Sequence, residues 1–172
     1  MNFAGPRPIA GLVLVLTALA ALTVTGCSMV SDAAKSDTAR TKAGDCINVR
    51  EGSPADSATE PVDCSSAKAV YTVKSTSGTK QDCGAEYSSY EETFNGGTTA
   101  FLCLAPNLKQ GSCYHDDKTT GFSFAECDST EATVKVVKRV DGQSDEFLCE
   151  ASSTFLTLSD PKTTFCLANP KI

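Results

Sequence analysis

The sequence predicts a β-rich α+β protein made of two tandem, disulfide-stapled repeats, each a short antiparallel sheet with one short helix. Three observations support this prediction. Eight cysteines form two sets of four in matching order, short runs alternate between apolar and polar residues, and the 172-residue chain opens with a segment typical of export. A repeat of roughly 60 residues barely offsets its chain entropy with one core, so covalent help is expected.

Residues 1–26 have the features of a bacterial lipoprotein signal peptide. After Arg7, the run from Leu12 to Val24 is largely apolar but shorter than the roughly 20 residues that span a bilayer. It ends in Thr25-Gly26-Cys27, with small residues before a cysteine. We expect cleavage before Cys27, a diacylglyceryl group on its thiol, further acylation such as palmitate, and a lipid anchor in the cell membrane. A secretory signal that is cleaved elsewhere is the alternative.

Residues 27–43 are expected to be the lipidated cysteine and a flexible tether. The segment is small, polar and mixed in charge, with Met29 and Val30 as its sizeable apolar residues. A helix over residues 31–42 is the alternative, but it would have no apolar stripe to bury.

A tandem duplication is indicated by the cysteine spacing, which divides the rest of the chain into repeat 1 (44–108) and repeat 2 (109–172). Matching cysteines are separated by 67, 63, 66 and 63 residues. Both repeats also share a Gly-x-Cys opening and an apolar stretch around the fourth cysteine. Whether the repeats share one core stays open.

The remaining cysteines form an even set, as in an exported disulfide framework. Three pairings are possible within each repeat, and we expect the first cysteine to bond to the second and the third to the fourth. A nested pairing is the open alternative. The expected bonds are Cys46 with Cys64, Cys83 with Cys103, Cys113 with Cys127, and Cys149 with Cys166.

Alternating apolar residues after the second cysteine of each repeat predict strands at 69–74 and 132–137. Short strands are also expected at 46–49, 101–105 and 165–168. Around 83–93 and 149–158 the alternation stops, and one short helix is predicted in each of these segments.

The first repeat resembles the LppU-type lipoproteins of actinobacteria. The resemblance rests on the lipoprotein signal, on Gly44-Asp45-Cys46, on the stretch VDCSSAKAVYTV at 62–73, on a tyrosine after Cys83, and on FLCL at 101–104. It covers residues 44–107 well and repeat 2 loosely. The resemblance implies a cell-envelope lipoprotein with no catalytic residue to carry over.

No catalytic or metal site is predicted. The stretch Gly121–Ala125 is faintly similar to a nucleophile elbow around Ser123, but His115 precedes this serine, whereas α/β-hydrolases place the histidine last. The run His115-Asp116-Asp117 could bind a cation only if three adjacent side chains converged, and calcium needs six to eight oxygens. We therefore expect no enzyme activity, no metal and no cofactor.

Charge disfavours polyanionic partners. Without Arg7 the mature chain has 14 basic and 21 acidic residues, a net charge of −7, so nucleic acid is not an expected partner. The adjacent pairs Glu91-Glu92 and Asp145-Glu146 are expected to be solvated. Lys135, Lys138 and Arg139 form a local basic spot, in which alternation places Lys135 on the solvent face, where such residues are ordinary.

Rigid loops on a stapled scaffold suit recognition, because little ordering entropy is lost on binding. The expected function is therefore a non-catalytic module that binds an envelope protein or glycan. The alternative is a carrier or sensor of a small ligand with a pocket between the repeats, for which an internal cavity lined by Phe and Leu is expected.

Overall fold

A computed structural model describes residues 36–49, 59–118 and 120–171 of the chain. The predicted signal peptide, Cys27 and residues 28–35 lie outside the described residues. Within the described ranges the protein is β-rich, with two antiparallel five-stranded sheets, one for each predicted repeat.

The first sheet has the strand order β2-β1-β3-β5-β4. Strands β1 and β2 form one hairpin, β3 lies at the centre, and β4 and β5 form the second hairpin. The five strands are β1 (Cys46–Val49), β2 (Thr59–Val62), β3 (Tyr71–Ser77), β4 (Ser88–Phe94) and β5 (Gly97–Pro106).

The second sheet repeats this order as β7-β6-β8-β10-β9. The strands of the two repeats therefore occupy the same positions in their sheets, as expected of a duplicated unit. The strands are β6 (Cys113–Asp117), β7 (Gly121–Ala125), β8 (Val134–Asp141), β9 (Thr154–Ser159) and β10 (Lys162–Ala168).

The central strand of each sheet carries a β-bulge at the same position. In β3 the unmatched residue is Lys74, between Val73 and Ser75, and in β8 it is Val137, between Val136 and Lys138. Lys74 and Val137 both lie ten residues after the second cysteine of their repeat. A bulge bends its strand and redirects a side chain, so these two residues leave the regular alternation.

The helices predicted over 83–93 and 149–158 are wrong. The second half of each segment is a strand, β4 or β9, and no helical turn is assigned within the described residues of either segment. A 3₁₀ helix at Glu146–Leu148 lies directly before the second segment. Both strands lie at a sheet edge and pair with only one neighbour. Both faces of an edge strand can be partly exposed to solvent, so its residues need not alternate between apolar and polar. The sequence pattern that predicts a strand is then weak. The α+β class therefore fits only loosely.

The segment predicted as a flexible tether becomes structured before residue 43. A short helix, α1 (Asp37–Arg40), is capped by Ser36, whose side-chain oxygen accepts a hydrogen bond from the backbone N–H of Ala39 at 3.0 Å. Thr38 and Thr41 are buried, and α1 packs on β2 and β5. The chain is therefore part of the folded unit from Ser36 onward.

Four disulfides staple the sheets, two in each. They join the same cysteines that we expected to pair, first with second and third with fourth in each repeat. The bonds are Cys46–Cys64, Cys83–Cys103, Cys113–Cys127 and Cys149–Cys166. In the chain-entropy model each such loop of roughly 15 to 20 residues contributes about 3 kcal/mol.

The two sheets share one apolar core. Large buried side chains from both repeats belong to a single cluster, so neither sheet closes its core alone. From the first repeat the cluster includes Ile47, Val70, Tyr71, Val73, Leu102, Leu104, Ala105 and Leu108, and from the second Tyr114, Val136, Leu158, Phe165 and Leu167.

Multiple disulfides indicate an extracytoplasmic location, because oxidising compartments preserve them. Among the described residues, no helix has the length and apolar character needed to cross a membrane.

Candidate binding groove

A groove of about 460 Å³ lies where the two sheets meet. Strand β1 of the first sheet and strands β6 and β7 of the second contribute to its walls, and β1 packs against β7. The described residues that line the groove are Asn48, Val49, Lys68, His115, Ser123, Phe124 and Glu131.

The lining is polar around a small apolar floor. Val49 and Phe124 are half-buried, and the Phe124 ring packs edge-on against Tyr114, with ring centroids 6.3 Å apart. Lys68 and Glu131 are exposed at the rim and bring one charge of each sign. The groove therefore offers donors, acceptors and one aromatic ring to a ligand.

The His115 ring is held in place by the backbone. Its Nδ1 lies 2.9 Å from the carbonyl oxygen of Glu131, which requires the proton to be on Nδ1 when the ring is neutral. Nε2 is then a hydrogen-bond acceptor, so the imidazole can receive a ligand hydroxyl or N–H.

Ser123 lies directly opposite His115 in the antiparallel register of β6 and β7. Cross-strand partners share one face of the sheet, so the two side chains are neighbours. Their order in the chain, with His115 before Ser123, is still not that of an α/β-hydrolase. Among the described residues, no hydrogen bond joins the Ser123 hydroxyl to the imidazole. A serine nucleophile is activated by such a bond to a base, and the described pair does not have this bond.

A buried tyrosine fixes the second sheet next to the groove. The backbone N–H of Phe122 in β7 donates to the hydroxyl oxygen of Tyr71 in β3 at 2.6 Å. Burial raises the pKa of Tyr71 above its usual value of 10.0. At Gly121, with φ of +80°, an added Cβ would overlap the Tyr71 hydroxyl oxygen, so only glycine allows this approach.

A second tyrosine fixes the connection between the sheets. Tyr114 in β6 is fully buried, and its hydroxyl oxygen accepts a hydrogen bond from the backbone N–H of Lys109 at 2.8 Å. The same hydroxyl donates to the carbonyl of Ala67 in the first repeat at 3.4 Å. Burial raises the pKa of Tyr114 as well.

Asn107 and Arg139 form the third polar link. Arg139 donates from Nη1 to the side-chain oxygen of Asn107 and to the carbonyl of Leu108, both at 3.0 Å. The amide nitrogen of Asn107 donates to the carbonyl of Ala69 at 3.1 Å. Burial, followed by the nearby Arg139 charge, lowers the pKa of Lys109.

The fourth link is made by the β9–β10 hairpin tip, which packs on the first repeat. Lys74 at the β3 bulge pairs with the carboxylate of Asp160 at 2.5 Å, and the Tyr87 hydroxyl donates to the Asp160 carbonyl at 2.7 Å. Glu86 accepts from the hydroxyl of Ser159 at 2.6 Å and from its backbone N–H at 2.8 Å. These hydrogen bonds lower the pKa of Glu86, and the Asp160 bond raises the pKa of Lys74.

The acidic pairs considered from sequence do not converge. Glu91 accepts from Thr98, which lowers the pKa of Glu91, whereas Glu92 accepts from Ser36 and Thr99. Asp145 caps the 3₁₀ helix by accepting from the Phe147 backbone at 3.0 Å.

The run of His115, Asp116 and Asp117 lies in β6, where neighbouring side chains point to opposite faces. In the described part of the chain, no group of three or more His, Cys, Asp or Glu side chains could hold a metal ion.

The sequence suggested a pocket between the repeats as an alternative, but it did not show which residues line the groove, and it missed the role of Arg139. Asn48 and Ser123 are far apart in the chain and belong to different repeats, so no local pattern joins them. In sequence Arg139 is only one member of a local basic spot, but its side chain is 23% exposed and its guanidinium lies 5.3 Å from the Phe165 ring centroid. Regular alternation would put Arg139 on the opposite face from Val136, and the bulge at Val137 changes this placement.

Comparison with protein-family models, curated proteins and solved structures finds no match to this chain.

Proposed function

We propose that this protein is a bacterial cell-envelope lipoprotein whose folded part is a non-catalytic module that binds an envelope glycan in the groove between the sheets. The observation that carries the proposal is the groove itself, open to solvent and lined by polar side chains around the Phe124 ring.

The chemistry of the lining favours a glycan over an apolar ligand. Sugars present hydroxyls that both donate and accept, and their C–H faces pack on aromatic rings. Asn48, Ser123 and the Nε2 atom of His115 can form hydrogen bonds with hydroxyls, and Lys68 and Glu131 can form charge-assisted ones. Phe124 offers the aromatic surface.

The rigidity of the walls also supports binding. Tyr71, Tyr114 and Asn107 connect the two repeats through partly buried hydrogen bonds. A preformed site loses little conformational entropy when a ligand binds.

A small-ligand carrier or sensor is the second candidate, because the groove lies between the repeats, where a carrier would hold its ligand. The lining differs from the Phe and Leu cavity expected for that function. Of its described residues, Val49 and Phe124 are apolar and the other five are polar. A carrier with this groove would hold a small polar molecule.

NMR titration with N-acetylglucosamine oligomers tests the proposal. The chain has a single histidine, so the ring protons of His115 report on the groove without overlap. We expect these protons to shift on titration and the affinity to rise from monomer to tetramer. Equal affinity for the monomer would favour the carrier, and no response to these oligomers or to soluble peptidoglycan fragments would contradict glycan binding.

Matched variants locate the site. Glu131→Gln and Lys68→Met each remove a charged hydrogen-bonding group at the rim, which should weaken binding about tenfold or more. Glu126→Gln, an exposed carboxylate outside the groove lining, should leave binding unchanged. An equal loss in Glu126→Gln would indicate a nonspecific charge effect.

The anchor is tested separately with Cys27→Ser. We expect this variant to leave the membrane fraction or to accumulate as an uncleaved precursor, because two acyl chains anchor stably where one does not. Unchanged mature mass and unchanged membrane partitioning would contradict the lipoprotein assignment without affecting the groove.

A further inference from the structure

The turn between β4 and β5 forms an uncharged, partly apolar tip. Phe94 is 70% exposed, and Asn95 and Gly96 form the turn with positive φ angles of 50° and 78°. From Thr93 to Ala100 the sequence contains no charged residue, although 21% of the chain is charged. A tip of this composition is compatible with a weakly polar environment.

The N-terminal chain enters the folded unit beside this hairpin. The Ser36 hydroxyl donates to the side chain of Glu92 at 2.7 Å, and α1 packs on β5. Glu92 lies two residues before Phe94 in β4, a distance of about 7 Å along a strand. The point where the chain leads back toward Cys27 is therefore close to the exposed ring.

Chain length limits how far this entry point can lie from an anchor at Cys27. Ser36 lies nine positions after Cys27, and a fully extended chain of nine residues spans about 30 Å. A lipid at Cys27 would thus hold the hairpin near the membrane whatever the conformation of the intervening segment.

We propose that the β4–β5 tip, with Phe94 at its end, is the surface through which the anchored domain contacts the lipid bilayer. The inference rests on the lipid anchor of the proposed function. A phenylalanine ring has no polar atom and is stabilised when it leaves water for the boundary between the headgroups and the acyl chains. The two acyl chains supply the affinity, and the tip orients the domain.

Tryptophan fluorescence of the full, lipidated protein tests this surface. The chain contains no tryptophan, so Phe94→Trp places a single reporter at the tip. Phe147→Trp is the matched control, because Phe147 is 86% exposed and lies in the second repeat. Each variant is incorporated into phosphatidylcholine vesicles, and membrane association is measured by sedimentation with the vesicles.

For Phe94→Trp, we expect the emission to shift to the blue when the protein is in vesicles. Acrylamide should quench this emission several-fold less in vesicles than in buffer without vesicles, and brominated lipid should quench it. Phe147→Trp should keep the emission of a hydrated indole in both states. This pair of results supports the tip as the bilayer contact.

Four outcomes overturn the inference. If both variants sediment with vesicles but Phe94→Trp stays hydrated, the anchor holds and the tip has no membrane role. If Phe147→Trp also becomes shielded, the domain lies on a different face. A concentration-dependent blue shift of Phe94→Trp without vesicles would instead assign the tip to contact with a second copy of the chain. If the protein does not sediment at all, the lipid anchor itself fails, and the membrane role of the tip fails with it.

Discussion

The hairpins β4–β5 and β9–β10 are equivalent in the two repeats but have different surroundings. Phe94 and Asp160 both lie eleven residues after the third cysteine of their repeat. Asp160 is held by Lys74 and Tyr87 of the first repeat, whereas Phe94 is 70% exposed. The repeats therefore pack asymmetrically, and the interface uses the tip of only one hairpin.

The bulge residues show the same division. Lys74 in β3 extends to Asp160, whereas Val137, its equivalent in β8, is 43% exposed. Each position occurs once in each repeat, and at these two positions only one of the two copies makes contacts across the repeat interface. The unoccupied copy can evolve other contacts, which is the role that we propose for Phe94.

The largest effect on the repeat interface is expected from Gly121→Ala. The new Cβ would overlap the Tyr71 hydroxyl and would also require a left-handed backbone, a combined loss of about 3 kcal/mol in the free energy of unfolding. Gly142→Ala is the control, since its φ is +84° but open space surrounds it, and it should lose about 1 kcal/mol. Urea denaturation with intact disulfides measures both.

Tyr71→Phe identifies the cause of that loss. Removing the hydroxyl oxygen removes the overlapping atom, so Gly121→Ala in a Tyr71→Phe background should cost no more than Gly142→Ala. Equal losses for Gly121→Ala and Gly142→Ala in the wild-type background would show that the Tyr71 contact does not constrain the interface.

A smaller effect is expected from Asn107→Ala. Asn107 is 8% exposed and its amide connects Ala69 to Arg139, so alanine would leave buried groups without partners and cost about 1–3 kcal/mol. Asn169→Ala, near the equivalent end of repeat 2, removes an exposed side chain and should change the free energy of unfolding by less than about 0.5 kcal/mol. Similar values for the two variants in thermal or urea unfolding would contradict the assigned linking role.

The smallest effect concerns pH and the Ser159 contact of Glu86. The pKa of Glu86 is lowered below its ordinary value of 4.5 in the folded protein, so its contribution to stability is present above that value and is lost as pH falls through the lowered pKa. Wild type should exceed Glu86→Gln in urea midpoint at pH 7, and the difference should vanish in acid.

Glu150→Gln is the control for this pH effect, because Glu150 is exposed in repeat 2 and its side chain has no partner among the described residues. A pH-independent difference between wild type and Glu86→Gln would show that the Ser159 bonds do not depend on the carboxylate charge.

Local patterns predicted the repeated part of the fold well. Alternation after the second cysteine located the central strands, which the structure places at Tyr71–Ser77 and Val134–Asp141. The edge strand Ser88–Phe94 lies in a segment that the sequence predicts as a helix, because its residues are mostly polar and its apolar alternation is weak.

The groove could not be predicted from the same patterns. It forms only when β1 of one repeat packs against β7 of the other, and the sequence left open whether the repeats share a core. Apolar periodicity reports which residues are buried, but it carries no information on which buried faces meet. The cysteine count, in contrast, constrained covalent structure directly.

The four short disulfide loops also determine how the molecule would respond to tension. A protein anchored at one end in a membrane and attached to a wall polymer through its groove is pulled at two points. Chain enclosed by Cys46–Cys64, Cys83–Cys103, Cys113–Cys127 or Cys149–Cys166 cannot be drawn out while these bonds are intact. Extension is therefore restricted to the segments outside the loops, so a module anchored and bound as proposed would lengthen less under tension than the same chain without its disulfides.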